Sequence, residues 1–548
     1  MIRVGCVVLI LVTGNALARS DLWAAQNPAP DAGFRIAGTV VSSLDGRPLE
    51  QARVLIVDTG DRTNAAAMVT EASGHFEFNV PKRGKFALNG AKRGFLPGAY
   101  EQHERHSTAI VTGKGLDTEH LLLRLTPLAV IAGKVLNEVG DAVRNAPVSL
   151  FAESHAGGMN RIVRFSTTTS DDQGTYEFPG LAPGNYFVSA TARPWYAVHP
   201  AGSGETGGSS PDIDRTLDVA YPTTYYGGAT EPEGAAPIEV KGGDHAQADV
   251  HLSPVPALRI VFRIPEGDQA TGATTPMFRK RAFENNEVIQ MEMQCISHPP
   301  SCEISGIPAG RYQVEFRDPR SAQITSTEMD LTRDGQELDT SRGEPSATVR
   351  VSVKMARGEN LPKPLLLALL DKKQRVVAFR QVDTSGAVIF EGVRAGKYSL
   401  DANSSGRSYS TIRIASGGTE LSSAELTIGS GAALDATVTL VAGVVTIEGF
   451  AKHSEKAIAG AMVVLVPKDP ESHLQMFRRD QSDLDGSFLI RDVVPGTYTI
   501  VAVQDAWDFP WLEPGVFSRY VLHGQDLTIG EALRGALHLP NPVEVQPR

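Results

Sequence analysis

Apolar and polar residues alternate with period two along much of this chain, and the alternation is punctuated by glycine at regular intervals. In "DDQGTYEFPGLAPGNYFVSA" (171–190) a turn closes at Gly174, an alternating strand follows, a second turn ends in glycine, and Tyr186 opens the next strand. "DLDGSFLIRDVVPGTYTIVA" (483–502) repeats the arrangement with Gly486 and Tyr498. Two further copies set Gly74 before Phe86 and Gly386 before Tyr398, and in all four the glycine precedes the ring by 12 positions. A fifth, "CEISGIPAGRYQVEF", keeps the second turn and Tyr312 but has Cys302 and its neighbours where the first turn glycine stands elsewhere. Alternation of this kind marks half-buried strands, whereas short continuous apolar runs such as Met462 to Val466 mark strands covered on both faces.

Fixed-period self-similarity of domain length predicts a tandem array. The fold class expected is all-β: about five small antiparallel β-sandwiches of roughly seven short strands each. The boundaries expected are 34–127, 128–254, 255–346, 347–440 and 441–548, the third and fourth units being divergent, with a flexible Gly/Ser-rich loop at 201–215. Junctions such as "LLLRLTPLAVIAGKV", interrupted only by Pro127, predict restricted angles between neighbours and hence a rod or curved string.

The recurrent residues read as framework. Asp-x-x-Gly sets a turn because glycine accepts positive φ and aspartate bonds its own backbone beyond the turn. Tyr186, Tyr312, Tyr398 and Tyr498 are expected at sandwich corners, hydroxyls bonded back to the main chain, with Gly174, Gly386 and Gly486 as turn residues. A second series of rings follows nine residues later: Phe95, Trp195 and Trp507. With Tyr196, Tyr221, Tyr225, Tyr226 and Trp511 these are the candidate ligand-binding residues, as a platform for sugar rings or a protein hot spot. The competing expectation is that each packs under its own hairpin or seals a junction with a neighbouring unit.

"GTVVSSLDGRPLEQARVLI" through "GHFEFNVPKRGKFAL", "GKVLNEVGDAVRNAPVSLF" through "PGNYFVSA", and "MVVLVPKD" through "PGTYTIVA" resemble the carboxypeptidase regulatory-like domain, a transthyretin-like, Ig-like sandwich also grouped with carbohydrate-binding-like folds. The resemblance implies a non-catalytic module. Such tandem arrays resemble secreted proteins of Gram-negative soil bacteria, and similar modules precede outer-membrane receptor barrels, of which none follows here.

Charge and cysteine narrow the setting. With 52 Lys and Arg against 63 Asp and Glu the net charge is −11, and no basic run tracks a phosphate backbone, which argues against nucleic acid as partner. "MIRVGCVVLILVTGNALARS" fits a secretory signal peptide over 1–18, followed by a linker over 19–33, with Cys6 placed wrongly for lipidation. Its apolar run is too short to span a bilayer, and no later segment is long enough, so the mature chain is expected to carry no transmembrane segment. Export leaves Cys295 and Cys302 in a compartment where a disulfide persists. A metal site with His298 lacks further ligands.

The patterns nearest to catalytic or metal-binding motifs fall short of them. "QSDLDGSFLIRD" sets Asp483, Asp485, Gly486 and Asp492 at EF-hand positions, but Gln481 stands where the loop begins with Asp and the closing Glu is missing. "HERH" (103–106) lacks the His-Glu-x-x-His spacing of zinc peptidases, and no serine elbow is found. The expectation is an exported, non-enzymatic binding or scaffold protein of the cell envelope without metal or cofactor. Its partner is a glycan or an envelope protein; the alternatives are a protein-adhesion rod and an unrecognised hydrolase.

Overall fold

The computed structural model describes residues 33–548 apart from 156, 200–213, 264–275, 290, 298–299, 318–323, 339–342, 357, 405–406, 422–424, 472 and 514. The expected signal peptide, the linker up to residue 32, positions 201–213 of the loop and His298 lie outside the described residues.

The described chain is built of β-strands around five successive apolar cores, centred on Ile36–Leu125, Ala129–Leu252, Ile260–Leu338, Ala347–Leu440 and Val445–Val545. One pairing plan recurs. In the first domain Phe34–Ser42 pairs antiparallel with His75–Val80 and parallel with Leu121–Leu125. Ala129–Leu136 is flanked likewise by Thr175–Leu181 and His245–Gln247, and Leu258–Arg263 by Pro300–Ile307 and Gln336–Glu337. The fourth and fifth domains repeat it around Ala347–Met355 and Val445–His453. The facing sheet is centred on a second antiparallel pair, as between Arg53–Asp58 and Lys85–Ala91.

The parallel neighbour depends on a small residue that the sequence pattern hides. A Cβ on Gly38 would lie 2.1 Å from the Leu121 carbonyl oxygen, and one on Gly133 would lie 2.2 Å from that of Ala248. Glycine in "IAGTV" and "IAGKV" therefore lets the last strand approach the first. The turn glycines act differently: Gly174 and Gly486 have φ of +72° and +79°. Their carbonyls accept the Val135 and Ala451 amide hydrogens, tying each turn to its domain's first strand.

Strict alternation and continuous burial have separate causes. Ala347–Met355 alternates buried and exposed along its whole length because one face meets water. Met462–Pro467 is buried throughout: Val463 and Leu465 enter the sandwich core, while Met462, Val464 and Val466 meet a second cluster made with Ala506, Trp507, Phe517 and Tyr520. Each large side chain so buried contributes about 1.5–3 kcal/mol.

The domains do not form a rod. The turn before Gly486 reaches back to the first domain, where Leu484 donates its amide hydrogen to the Ala109 carbonyl at 3.1 Å and packs against the first core. The second domain's turn at Gly158 meets the fifth domain through the Leu512 amide, which donates to Gly158 O at 2.7 Å. The second domain meets the fourth through Arg161, which donates to Lys373 O. The third and fourth join through Arg375 and Glu284 at 2.7 Å, and the fourth and fifth through Arg478 and Ser410. The chain folds back and closes on itself because polar seams, absent from any local pattern, bind domains distant in sequence.

Candidate functional site

The corner tyrosines are held by one repeated bond. Tyr186, Tyr312, Tyr398 and Tyr498 donate their hydroxyl hydrogens to the carbonyls of Ala182, Pro308, Arg394 and Val494, four residues back, at 2.7–3.0 Å. The first domain has Phe86 there, buried without a hydroxyl. The turn aspartates differ more. Asp171 and Asp383 accept amide hydrogens within their own turns, from Gln173 and Thr175 and from Ser385 and Ala387. Asp483, at the matching position, accepts instead from the Ala109 amide at 2.9 Å and pairs with Lys85 at 2.8 Å, both in the first domain. Of the acidic set that resembles a calcium loop, Asp483 is thus committed to a domain seam and Asp485 to the Ser487 amide and hydroxyl of its own turn.

That seam gathers much of what the sequence singled out. Trp507, 8% exposed, stacks on His103 with ring centroids 5.1 Å apart and an 8° interplanar angle, and donates its Nε1 hydrogen to Gly460 O. His103 and His106 are joined by reciprocal backbone hydrogen bonds into a tight turn, and His106 also lies beside Trp507. The Arg479 guanidinium sits 5.5 Å from the Trp507 ring and 4.5 Å from Trp511 while pairing with Glu104. Gln481 donates to Glu101 O and to the Thr108 hydroxyl. Burial raises the Asp483 carboxyl above its usual range, an effect that Lys85 and the Ala109 amide oppose. Among the described residues no group of three or more His, Cys, Asp or Glu is placed to hold a metal ion.

The expected aromatic platform does not assemble. Trp507 is closed beneath the first domain, and Trp511 is half-buried against Phe477 and the fifth domain's second cluster. Tyr225, 1% exposed, is buried with Phe151, Phe187 and Ala282 where the second domain meets the third, and Tyr226 packs on the second core. Burial of Trp507 and Tyr225 removes both from any ligand surface, because sealing a seam uses the same apolar area that stacking would. Phe95 likewise packs on the first core.

Trp195 is the exception, at 88% exposed. It stands edge to face with Tyr196, centroids 5.8 Å apart. Tyr196 and Tyr221 both donate their hydroxyl hydrogens to Glu138, the latter at 2.6 Å. Burial pushes the Glu138 carboxyl up, but these two hydrogen bonds, with one from the main chain, outweigh it and hold it below its usual range. Arg193 and Pro194, immediately before Trp195, belong to the wall of a cleft of about 830 Å³ between the second and third domains. Cys302 is buried, disulfide-bonded and opposite Cys295 in the strand register.

Sequence reasoning allowed for a ring that seals a junction with a neighbouring unit, as Tyr225 does, but missed the seam between the first and fifth domains. The single signal available was the second acidic position of "DLDG": with Asp485 accepting the Ser487 amide hydrogen, Asp483 is released from the turn.

Comparison with known proteins agrees with this construction in one domain. Residues 130–202 match the carboxypeptidase regulatory-like domain. No curated protein matches the chain. Among solved structures, the Bacillus anthracis TIE protein aligns over 76% of this chain and 76% of its own, at 11% identity and a TM-score of 0.18. GBS52, the minor pilin of Streptococcus agalactiae, aligns over 41% and 97%, at 9% identity and a TM-score of 0.22. The streptococcal ancillary pilin aligns over 53% and 100%, at 12% identity and a TM-score of 0.18. Among the described residues no helix is long and apolar enough to cross a membrane. Residues 130–202 thus match the carboxypeptidase regulatory-like domain, and they fall within the stretch that surrounds the second apolar core.

Proposed function

We propose that the protein is a non-catalytic binding and scaffold protein exported to the cell envelope, and that it binds carbohydrate through Trp195 and Tyr196. The observation that carries this reading is the contrast among the candidate rings. Trp507 and Tyr225 are consumed in seams, whereas Trp195 is left 88% exposed and oriented by Tyr196 and Glu138. A large ring held facing water offers stacking area at little conformational cost. The test is a glycan array followed by calorimetry on the full chain and on Trp195→Ala. Saccharide binding weakened at least tenfold by the substitution supports the reading; no saccharide binding, or binding indifferent to Trp195, overturns it.

A second reading, protein adhesion, is favoured by one edge. Val376–Gln381 lies at the border of the fourth domain's sheet with Val376, Val377 and Phe379 exposed, and an open edge of this kind accepts a further strand. Recovery of an envelope protein by the wild-type chain, lost in Phe379→Lys, supports this reading; recovery unchanged by that substitution overturns it.

A further inference from the structure

We infer that the cleft between the second and third domains is the seat of a neutral oligosaccharide, with Trp195 as the ring at its mouth; the inference rests on the carbohydrate reading above and names its site. At about 830 Å³ the cleft has the size that holds a drug-sized molecule, and thus a short oligosaccharide. Ser149, Arg164 and Tyr221 line it from the second domain, and Arg279, Glu287 and Val288 from the third.

The charges on its walls select the ligand class. Arg164 pairs with Glu287 at 2.8 Å, Arg279 with Glu315 at 3.0 Å and Lys280 with Glu231 at 3.0 Å. His199 faces Asp218 at 2.8 Å. A wall most of whose cations are already answered by carboxylates offers little net field to an anion. It is still rich in hydrogen-bonding capacity. A guanidinium has five N–H groups and a carboxylate about four lone-pair sites, so the bonds from Ser149 and Arg164 to Glu287 use only part of either. Sugar hydroxyls, which both donate and accept, match such planar pairs, while the face of a sugar ring is apolar enough to stack on an indole. The second and third domains are also fixed to each other by Phe151, Phe187, Tyr225 and Phe283, so the walls keep their spacing before a ligand arrives.

The experiment uses the full chain and a panel of neutral cello-, xylo-, malto- and chito-oligosaccharides of three to six units, with oligogalacturonate and inorganic phosphate alongside. Val288, 54% exposed on the third-domain wall, is changed to Trp to fill the cleft without touching Trp195, and Leu522→Ala, at a 77% exposed position of the fifth domain, serves as a control. Micromolar to millimolar binding of a neutral oligosaccharide, weakened at least tenfold by Val288→Trp and by Trp195→Ala and unchanged by Leu522→Ala, supports the assignment. Radical footprinting of the wild type, in which the oligosaccharide protects Val288 and Ile289, supports it independently of how Val288→Trp folds. Neutral binding that is lost in Trp195→Ala, with neither Val288→Trp sensitivity nor that protection, overturns the cleft and leaves the carbohydrate reading standing. Tighter binding of oligogalacturonate or phosphate overturns the ligand class. Absence of all saccharide binding overturns both.

Discussion

Lys85 of the first domain and Asp483 of the fifth stand 398 positions apart in sequence and 2.8 Å apart in space. The Lys85 ammonium also donates to the Ser487 hydroxyl, and Asp483 accepts the Ala109 amide hydrogen with its other oxygen, so one carboxylate joins both domains through side chain and main chain. Asp483→Ala is expected to leave the Ala109 amide unmet at a covered site, a loss of about 1–3 kcal/mol. Because the loss falls on a seam between two self-contained cores, it is expected first as domain separation. Small-angle scattering should show an increased radius of gyration and denaturant unfolding a separate early transition. An unchanged radius together with an unchanged midpoint would contradict this account of the clasp.

The turn glycines make a graded prediction. A Cβ on Gly174 would lie 2.6 Å from the Val135 carbonyl oxygen, at a backbone conformation with φ of +72°. Gly140 has a comparable φ of +88° but nothing within 4 Å of its Cβ position. Left-handed backbone costs an L-residue roughly 1–2 kcal/mol in either place, and only Gly174 adds a collision with main chain. Gly174→Ala should therefore destabilise the second domain by several kcal/mol and Gly140→Ala by about 1 kcal/mol, read by chemical denaturation of the two variants side by side.

Tyr498→Phe isolates the corner bond from the corner ring. The ring remains in the fifth core while the Val494 carbonyl loses its partner, and the expected cost is about 1–2 kcal/mol of fifth-domain stability, measured by urea midpoint. Phe86 shows that the ring alone sustains a domain on this plan. These corners, and the strands between them, were legible because the chemistry is local: a glycine, an alternating strand and an aromatic at fixed spacing carry their own turn geometry. The arrangement of the domains was not. Trp507 and Trp195 sit at equivalent positions nine residues beyond their corner tyrosines, yet one is sealed by His103 and the other faces water. What separates them is the neighbour that the returning chain brings, and a turn such as "HERH" carries no mark of which distant domain it will meet.

Two carboxylates give stability opposite dependences on pH. Asp334 is held below the usual aspartate range chiefly by the hydrogen bond from Arg259, so its contribution is present above the unfolded value of about 3.9 and is lost as pH falls through the depressed folded value. Asp483 is raised, chiefly by burial, so the folded chain takes up its proton more readily than the unfolded one. Its contribution therefore grows as pH falls through the raised folded value and is complete below about 3.9. Asp483→Asn keeps an oxygen for the Ala109 amide while removing the titration. The stability difference between wild type and this variant should accordingly move in favour of wild type as pH is lowered from 7 towards 4, whereas the same series with Asp334→Asn should move against wild type below pH 4. Urea midpoints at each pH give both differences directly; parallel curves for Asp483→Asn and wild type would mean that the clasp carboxylate titrates as it does in the unfolded chain, and that burial in the seam does not govern its charge.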